Sequence, residues 1–343
     1  MKTSKYWKNR FIYLEELQNK KSSSFYKELE EAYLRACNNI EKEILGFYGK
    51  YAKNNNISLN EAKKILNAGE LKAFKLDVKE YIRLGEQLHL EPKWLNTLQK
   101  ASVRVHISRL EAIKTHIQQQ IEVLSKFELD EFDTFARDTY TSQYYNTAFE
   151  IAKGTGVATN LAMLDVAKIN SILLKAWTPD GKTFSDRIWI KKNQLIDYLH
   201  KELTQNILTG KTPQHLVKDI SRKFNVSVGQ SARLVYTENA YFSSVSQKQS
   251  FIDVDVKRYE LVATLDLSTS DTCRELDGKV FKMSDYQIGR TAPPFHPFCR
   301  TVTAPYFEDN ITERYMRSKE GKSMVVKEDI KYNDWFNKYV LKK

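Results

Sequence analysis

At 343 residues, with 41% hydrophobic and 12% aromatic content, the chain has ample apolar mass for packed cores, which excludes a disordered polypeptide. Only 12 Gly and 7 Pro over that length exclude a turn-rich all-β protein, and the length itself predicts two domains or one domain with an extended arm. The formal charge of +11 falls on residues 1–100 and 151–250 and leaves 251–300 close to neutral, a balance that favours a polyanion or an acidic protein surface, or simply solvated basic helix faces.

The N-terminal residues hold no apolar run of signal-peptide length, and no segment approaches a transmembrane span. A cytosolic protein with no membrane partner is therefore expected, and its three cysteines suggest thiols or a metal site before disulfides. Residues 5–53 read as one or two long helices, because Phe25, Leu29, Ala32, Ala36, Ile40, Ile44, Phe47 and Tyr51 recur at steps of three and four. Cys37 lies beside that stripe as a packing thiol. Asn54-Asn55-Asn56 ends the pattern, and Ser58 with Glu61 opens a new helix in capping-box spacing, interrupted at Gly69. Phe74, Val78, Tyr81 and Leu84 mark a further helix, and Pro92 the start of the next.

From Pro92 to Phe127 a single long helix is expected, with a near-heptad seam of Val103, Ile107, Leu110, Ile113, Ile117, Ile121 and Leu124. That seam suits either the helix over residues 22–53, in an antiparallel pair, or a second copy of the chain. His106 and His116 fall beside it as solvated or locally bonded groups. Gly154 and Gly156 mark a break, and Thr178–Gly181 a turn. Gly181-Lys-Thr183 and Gly210-Lys-Thr212 echo the end of a phosphate-binding loop, but the required upstream glycines are Ala176 and Gln205, so neither is one. Thr212-Pro213 opens a helix, and Ser227 with Gln230 opens a second one after a break at Asn225-Val226. Such a pair suggests a helix-turn-helix DNA reader, although packing is the plainer reading of the second helix.

After Asp255 the period changes from 3.6 to 2. Residues 257–265 read as a strand, Glu275–Phe281 as a hairpin turning at Asp277-Gly278 in a type I′ turn, and Cys299–Thr303 as another strand. The charged tail from 308, with its Trp335/Phe336/Tyr339 stripe, reads as a peripheral helix.

Cys273, His296 and Cys299 bring three soft donors into one stretch, and zinc is the metal such a set suits, with Asp266, Asp271, Asp277 or water as a fourth ligand. Buried apolar cysteines or a disulfide are the competing readings. A thiol nucleophile with His296 as base is a further alternative.

These residues also carry a resemblance. Asp266, Thr269, Ser270, Cys273, Leu276, Asp277 and Gly278, followed by Pro293, Pro294, His296, Pro297, Cys299 and Arg300, resemble the signature of the phage Mu protein F-like head morphogenesis family. Thr237-Glu238 is similar to a pair that opens the family's domain, and some relatives carry a second cysteine where this chain has Leu276. The resemblance implies a minor capsid protein of tailed phages and prophages, located in the head interior and, during assembly, in the host cytoplasm. Its implied partners are the portal protein, the scaffold or major capsid protein, and non-specific duplex DNA, with ejection alongside the genome.

The expected fold is mainly α with a small C-terminal α+β module: long antiparallel helices followed by a short-stranded antiparallel sheet with a β-hairpin. Four segments are expected: a long-helical arm at 1–127, a helical connection at 128–200, the Mu F-like module at 201–307 and a charged helical tail at 308–343. Binding without turnover is the expected activity. The alternatives are a metal-dependent or thiol hydrolase or nuclease centred on Cys273, His296 and Cys299, and a sequence-specific DNA-binding regulator.

Overall fold

The computed structural model describes residues 2–156 and 164–307, and the backbone of 313–317 and 323–327. Its elements run α1 (Ser4–Tyr51), α2 (Leu59–Lys63), α3 (Ala68–Gln87), α4 (Pro92–Val103), α5 (Arg109–Thr155), α6 (Val166–Leu173), α7 (Phe184–Leu208), α8 (Pro213–Asp253), β1 (Arg258–Val262), α9 (Asp271–Leu276), β2 (Val280–Lys282), β3 (Val302–Pro305), β4 (Glu313–Arg317) and β5 (Ser323–Lys327). The expected fold class is what forms: 72% helix with a three-stranded antiparallel sheet towards the C-terminus. Two compact units share these elements, one of Met1–Phe25, Asp133–Lys175 and Arg233–Lys343, the other of Tyr26–Phe132 and Ala176–Ala232. The sequence-based boundaries at 127 and 200 fall inside α5 and α7, since both helices continue through them without a cap.

In the all-helical unit, four apolar stripes meet. Tyr33, Cys37, Ile40 and Ile44 of α1, Ile113, Ile117, Ile121 and Leu124 of α5, Leu195, Leu199 and Leu203 of α7, and Leu216, Ile220 and Phe224 of α8 form one buried cluster. Each fully buried Leu or Ile stabilises the unit by about 1.5–3 kcal/mol. Tyr33 donates to Glu128, and Asn39 to Gln120, so ascending numbers on α1 meet descending numbers on α5. The intrachain antiparallel pair is thus realised. Buried charge accompanies this core: Lys191 reaches Glu128 at 2.7 Å and Lys192 reaches Glu122 at 2.9 Å. Ser231 also donates to Glu128, at 2.8 Å, so that carboxylate has its acceptor sites filled. A smaller core gathers Phe74 and Val78 of α3 with Trp94 and Leu98 of α4.

Three local expectations fail in this unit for identifiable reasons. The Pro92–Phe127 seam is two helices, because Ser108 and Glu111 form reciprocal caps that start α5 afresh, and Leu66 pairs its N–H with Ile107 O at 2.8 Å. Val103 is consequently 75% exposed, not part of a seam. The second break moves from Gly69 to Lys64–Asn67, where Asn67 caps α3 with Glu70 in a capping box. The opposite error occurs at Asn225-Val226: α8 runs through unbroken, and Ser227 donates to Lys223 O at 3.1 Å inside the helix instead of capping a new one. The helix-turn-helix reading falls with that break.

The other unit is built around aromatic side chains and the sheet. Trp7, Phe11 and Leu14 of α1, Ile151 of α5, Phe251 of α8, and Tyr259, Leu261 and Val262 of β1 share one core. Gly154 is required there, because a Cβ would stand 2.2 Å from the Trp7 ring. Arg10 reaches Glu150 at 2.6 Å, Gln18 reaches Gln143 at 3.2 Å and Lys21 reaches Ser142 at 2.9 Å, which repeats the antiparallel running of α1 and α5. The sheet order is β2-β1-β3, with Tyr259 opposite Phe281 on one side and Pro305 on the other. As the central strand, β1 buries Tyr259, Glu260, Leu261 and Val262 alike, and Lys8 meets Glu260 at 2.9 Å.

Asp277-Gly278 does not turn a hairpin between strands. Glu275 and Leu276 belong to α9, and the turn joins that helix to β2. Asp277 has φ −59° and ψ 130°, and Gly278 has φ 73°, with Lys279 N bonded to Leu276 O at 3.1 Å. Those angles are a type II turn, whose third position needs glycine's positive φ, not the type I′ turn expected. A second antiparallel pair is formed by β4 with β5. Residues 313–317 and 323–327 are therefore strands where a helical tail was expected, and the Trp335/Phe336/Tyr339 stripe lies outside the described residues.

Candidate functional site

The loops on either side of β2 converge on one cluster. Ser270 caps α9 and accepts from Cys273 N at 3.3 Å, which fixes the cysteine in the helix's first turn. His296 and Cys299 come from the proline-rich loop before β3. Cys273 Sγ lies 3.1 Å from His296 Nε2 and 3.8 Å from Cys299 Sγ, and the ligand atoms of all three lie within 4.8 Å of one another. Both cysteines are free thiols and buried. Among the described residues, these three alone form a group of His, Cys, Asp or Glu side chains convergent enough to hold a metal ion.

The tautomer of His296 follows from its other nitrogen. Nδ1 sits 2.7 Å from Pro297 O, and a carbonyl can only accept, so Nδ1 carries the proton and Nε2 presents its lone pair to the cluster. The thiols divide their acidity. Cys299 is lowered, chiefly by its hydrogen bond with the Cys273 thiol, against burial and with help from the backbone N–H groups of Phe295 and Thr301. Cys273 is raised, by the same bond and by its own burial. Two sulfurs and the lone pair of an imidazole converging within 4.8 Å are a donor set suited to a soft cation.

The remaining signature residues shape the loops. Asp266 stands outside the cluster: Arg300 grips it with two nitrogens, at 2.6 and 2.9 Å. Burial opposes ionisation of Asp266, but the Arg300 guanidinium outweighs it and holds the carboxyl below its usual value. Thr269 donates to Asp266 at 3.2 Å and also bonds Thr264 O. Asp277 accepts from Ala263 N at 2.9 Å, and Leu276 packs against the aromatic core. Asp271 pairs with Arg274 at the surface. Pro293 and Pro294 are buried and joined by a cis bond, whereas Pro297 is exposed. Thr237 of α8 accepts from Phe298 N at 3.4 Å, while its neighbour Glu238 is buried on the same helix. Tyr236 meets the Phe298 ring in a tilted contact, 5.7 Å between centroids.

Sequence reasoning overlooked Thr301, Phe295 and Ala263, which complete the surroundings of the sulfurs. Thr301 was assigned to a strand, but β3 begins only at Val302, and that leaves the Thr301 backbone N–H to face Cys299 Sγ. Cys37, by contrast, is the packing thiol expected, pushed up to about 12 by burial and then by Glu41. His116 is locally bonded to Tyr81 at 2.7 Å, and His106 is exposed.

Residues 197–304, a little under a third of the chain, match the family model described as Phage Mu protein F like protein. That segment is thus a phage Mu protein F-like one, as its signature residues imply, and the family suggests a protein of phage head morphogenesis in the virion. No curated protein and no solved structure matches the chain. Among the described residues, no helix is long and apolar enough to cross a membrane.

Proposed function

We propose that the chain is a minor head protein that binds the portal during procapsid assembly, contacts packaged duplex DNA non-specifically, and leaves with the genome. The observation that carries this reading is the Mu F-like segment at 197–304. The chemistry of the site supports binding over turnover, since Cys273 is 2% exposed and Cys299 6% exposed, too enclosed to attack a polymer substrate. The positive excess on 1–100 and 151–250 suits a phosphate backbone or an acidic protein ring. Assembly in the host cytoplasm beside scaffold and major capsid protein belongs to the same reading.

Mass spectrometry of purified procapsids and filled heads tests it. A few copies per head, lost when the gene is disrupted, are expected; heads that assemble and fill without the chain contradict it. DNA binding is expected to be weak, with log K falling linearly against log salt concentration and no preferred sequence. A preferred duplex sequence would instead favour a regulator. The 3.1 Å contact between Cys273 Sγ and His296 Nε2 favours one second reading, a metal-dependent or thiol hydrolase or nuclease. Measurable hydrolysis abolished by His296→Ala, in protein that stays folded, would establish it.

A further inference from the structure

We propose that Cys273, His296 and Cys299 bind one zinc ion, with the fourth coordination position open to a small polar cavity. The proposal does not depend on the head-assembly reading.

Distance is the first argument. Tetrahedral zinc with Zn–S near 2.3 Å sets two thiolate sulfurs about 3.8 Å apart, and with Zn–N near 2.0–2.1 Å it sets sulfur and nitrogen about 3.6 Å apart. The sulfurs here already stand at 3.8 Å, and the Cys273–His296 pair at 3.1 Å has to open only slightly. A disulfide would need the same sulfurs to close to about 2.05 Å.

Preorganisation is the second. The Pro297 carbonyl, 2.7 Å from Nδ1, orients the imidazole so that its lone pair faces the sulfurs, as the outer partners of ligating histidines do.

Charge is the third. With both sulfurs as thiolates, any remaining thiol proton having passed to solvent, a dication, two thiolates and a neutral imidazole give a site of zero net charge, which burial tolerates.

The fourth position follows from what surrounds the cluster. Among the described residues no further Cys, His, Asp or Glu reaches it, and Asp266 is held by Arg300. A cavity beside Cys273 and His296 has room for a water-sized ligand, and Thr264, Ser268, Thr269, Ser270, Arg300 and Thr301 supply its polar lining. Three protein ligands with one exchangeable position define an open site, unlike the closed four-ligand sets of purely structural zinc.

Zinc content and cobalt substitution of the full-length protein, purified under reducing conditions, test the proposal. One zinc per chain is expected. Cobalt(II) alone, added to chelator-stripped protein, is expected to give tetrahedral visible bands and thiolate-to-cobalt absorption that disappear in Cys273→Ser and Cys299→Ser but persist in Cys37→Ser. His296→Ala is expected to weaken retention against a competing chelator by at least ~10-fold. If the serine variants fail to fold, the wild-type cobalt spectrum alone decides. Absence of zinc and of cobalt bands in protein with free thiols overturns the site, as does a Cys273–Cys299 disulfide. Thiocyanate is expected to shift the visible bands by displacing water; unchanged bands overturn the open position.

Discussion

The two compact units solve the same problem with different materials. The unit of Tyr26–Phe132 and Ala176–Ala232 is periodic: four helices bury stripes at steps of three and four, and two buried ion pairs, Lys191 with Glu128 and Lys192 with Glu122, lie among them. The unit carrying the sheet is aperiodic. Its loops are held one by one, Asp266 by Arg300, Thr269 by Thr264 O, Asp277 by Ala263 N, and its cysteines by each other and His296. A periodic unit spreads its stability over many equivalent contacts, whereas an aperiodic one concentrates it in a few bonds that also shape a site. Chemistry accumulates in the second.

That contrast can be broken most strongly inside the periodic unit. Lys191→Met leaves the Glu128 carboxylate, which is fully buried, without its cation, and a loss of about 3–5 kcal/mol is expected. The double variant Glu128→Leu/Lys191→Met should recover much of it, by denaturant titration, because an apolar pair of similar size leaves no orphan charge. In the sheet-bearing unit, Gly154→Ala forces a methyl towards the Trp7 ring, and about 1–3 kcal/mol is expected. Hydrogen exchange followed by mass spectrometry should place the loss in peptides of 1–25 and 233–307. Gly278→Ala puts a Cβ on a residue with φ 73° and is expected to cost roughly 1–2 kcal/mol. Its faster exchange should stay within the α9–β2 turn.

The smallest effect is one of pH. Burial lowers His116, against Glu43 and Asp77, and it also lowers His200, so both favour the neutral form when folded. The unfolded chain takes up those protons near 6.5 while the folded chain resists, so stability is full above that pH and falls as pH drops through 6.5. Denaturant midpoints of the periodic unit should decline below that point, and His200→Gln should flatten the decline. No change between pH 7 and 5 would contradict the burial argument.

The same contrast explains what could be read in the sequence. Stripes such as Ile113, Ile117 and Ile121 fix helix faces with no knowledge of partners, and α1 follows from its own stripe, but the choice between α1 and a second copy of the chain as the seam's partner needed the fold. Caps were harder, because one signal gave opposite outcomes. Ser108 with Glu111 starts a helix, since the chain before it pairs with Leu66, while Ser227 with Gln230 starts nothing. Ser227 and Ser231 continue the buried stripe of Leu216, Ile220 and Phe224 as small polar members, and tertiary burial overrides the local preference. In the Mu F-like segment, periodicity says little and composition says much: Cys273, His296 and Cys299 were legible as a set. Asp266 was not separable from them, because only the fold shows Arg300 claiming it. Asp277-Gly278 announced a turn but not its type, which depends on what the turn connects.

Association with the portal protein tests the central claim most directly. The full chain should be co-expressed with the portal encoded in the same phage genome and the products resolved by size and native mass. The account predicts that the chain co-elutes with the portal oligomer at a fixed small stoichiometry and survives salt that strips non-specific DNA. A portal ring that forms normally while the folded chain elutes apart from it would contradict the account.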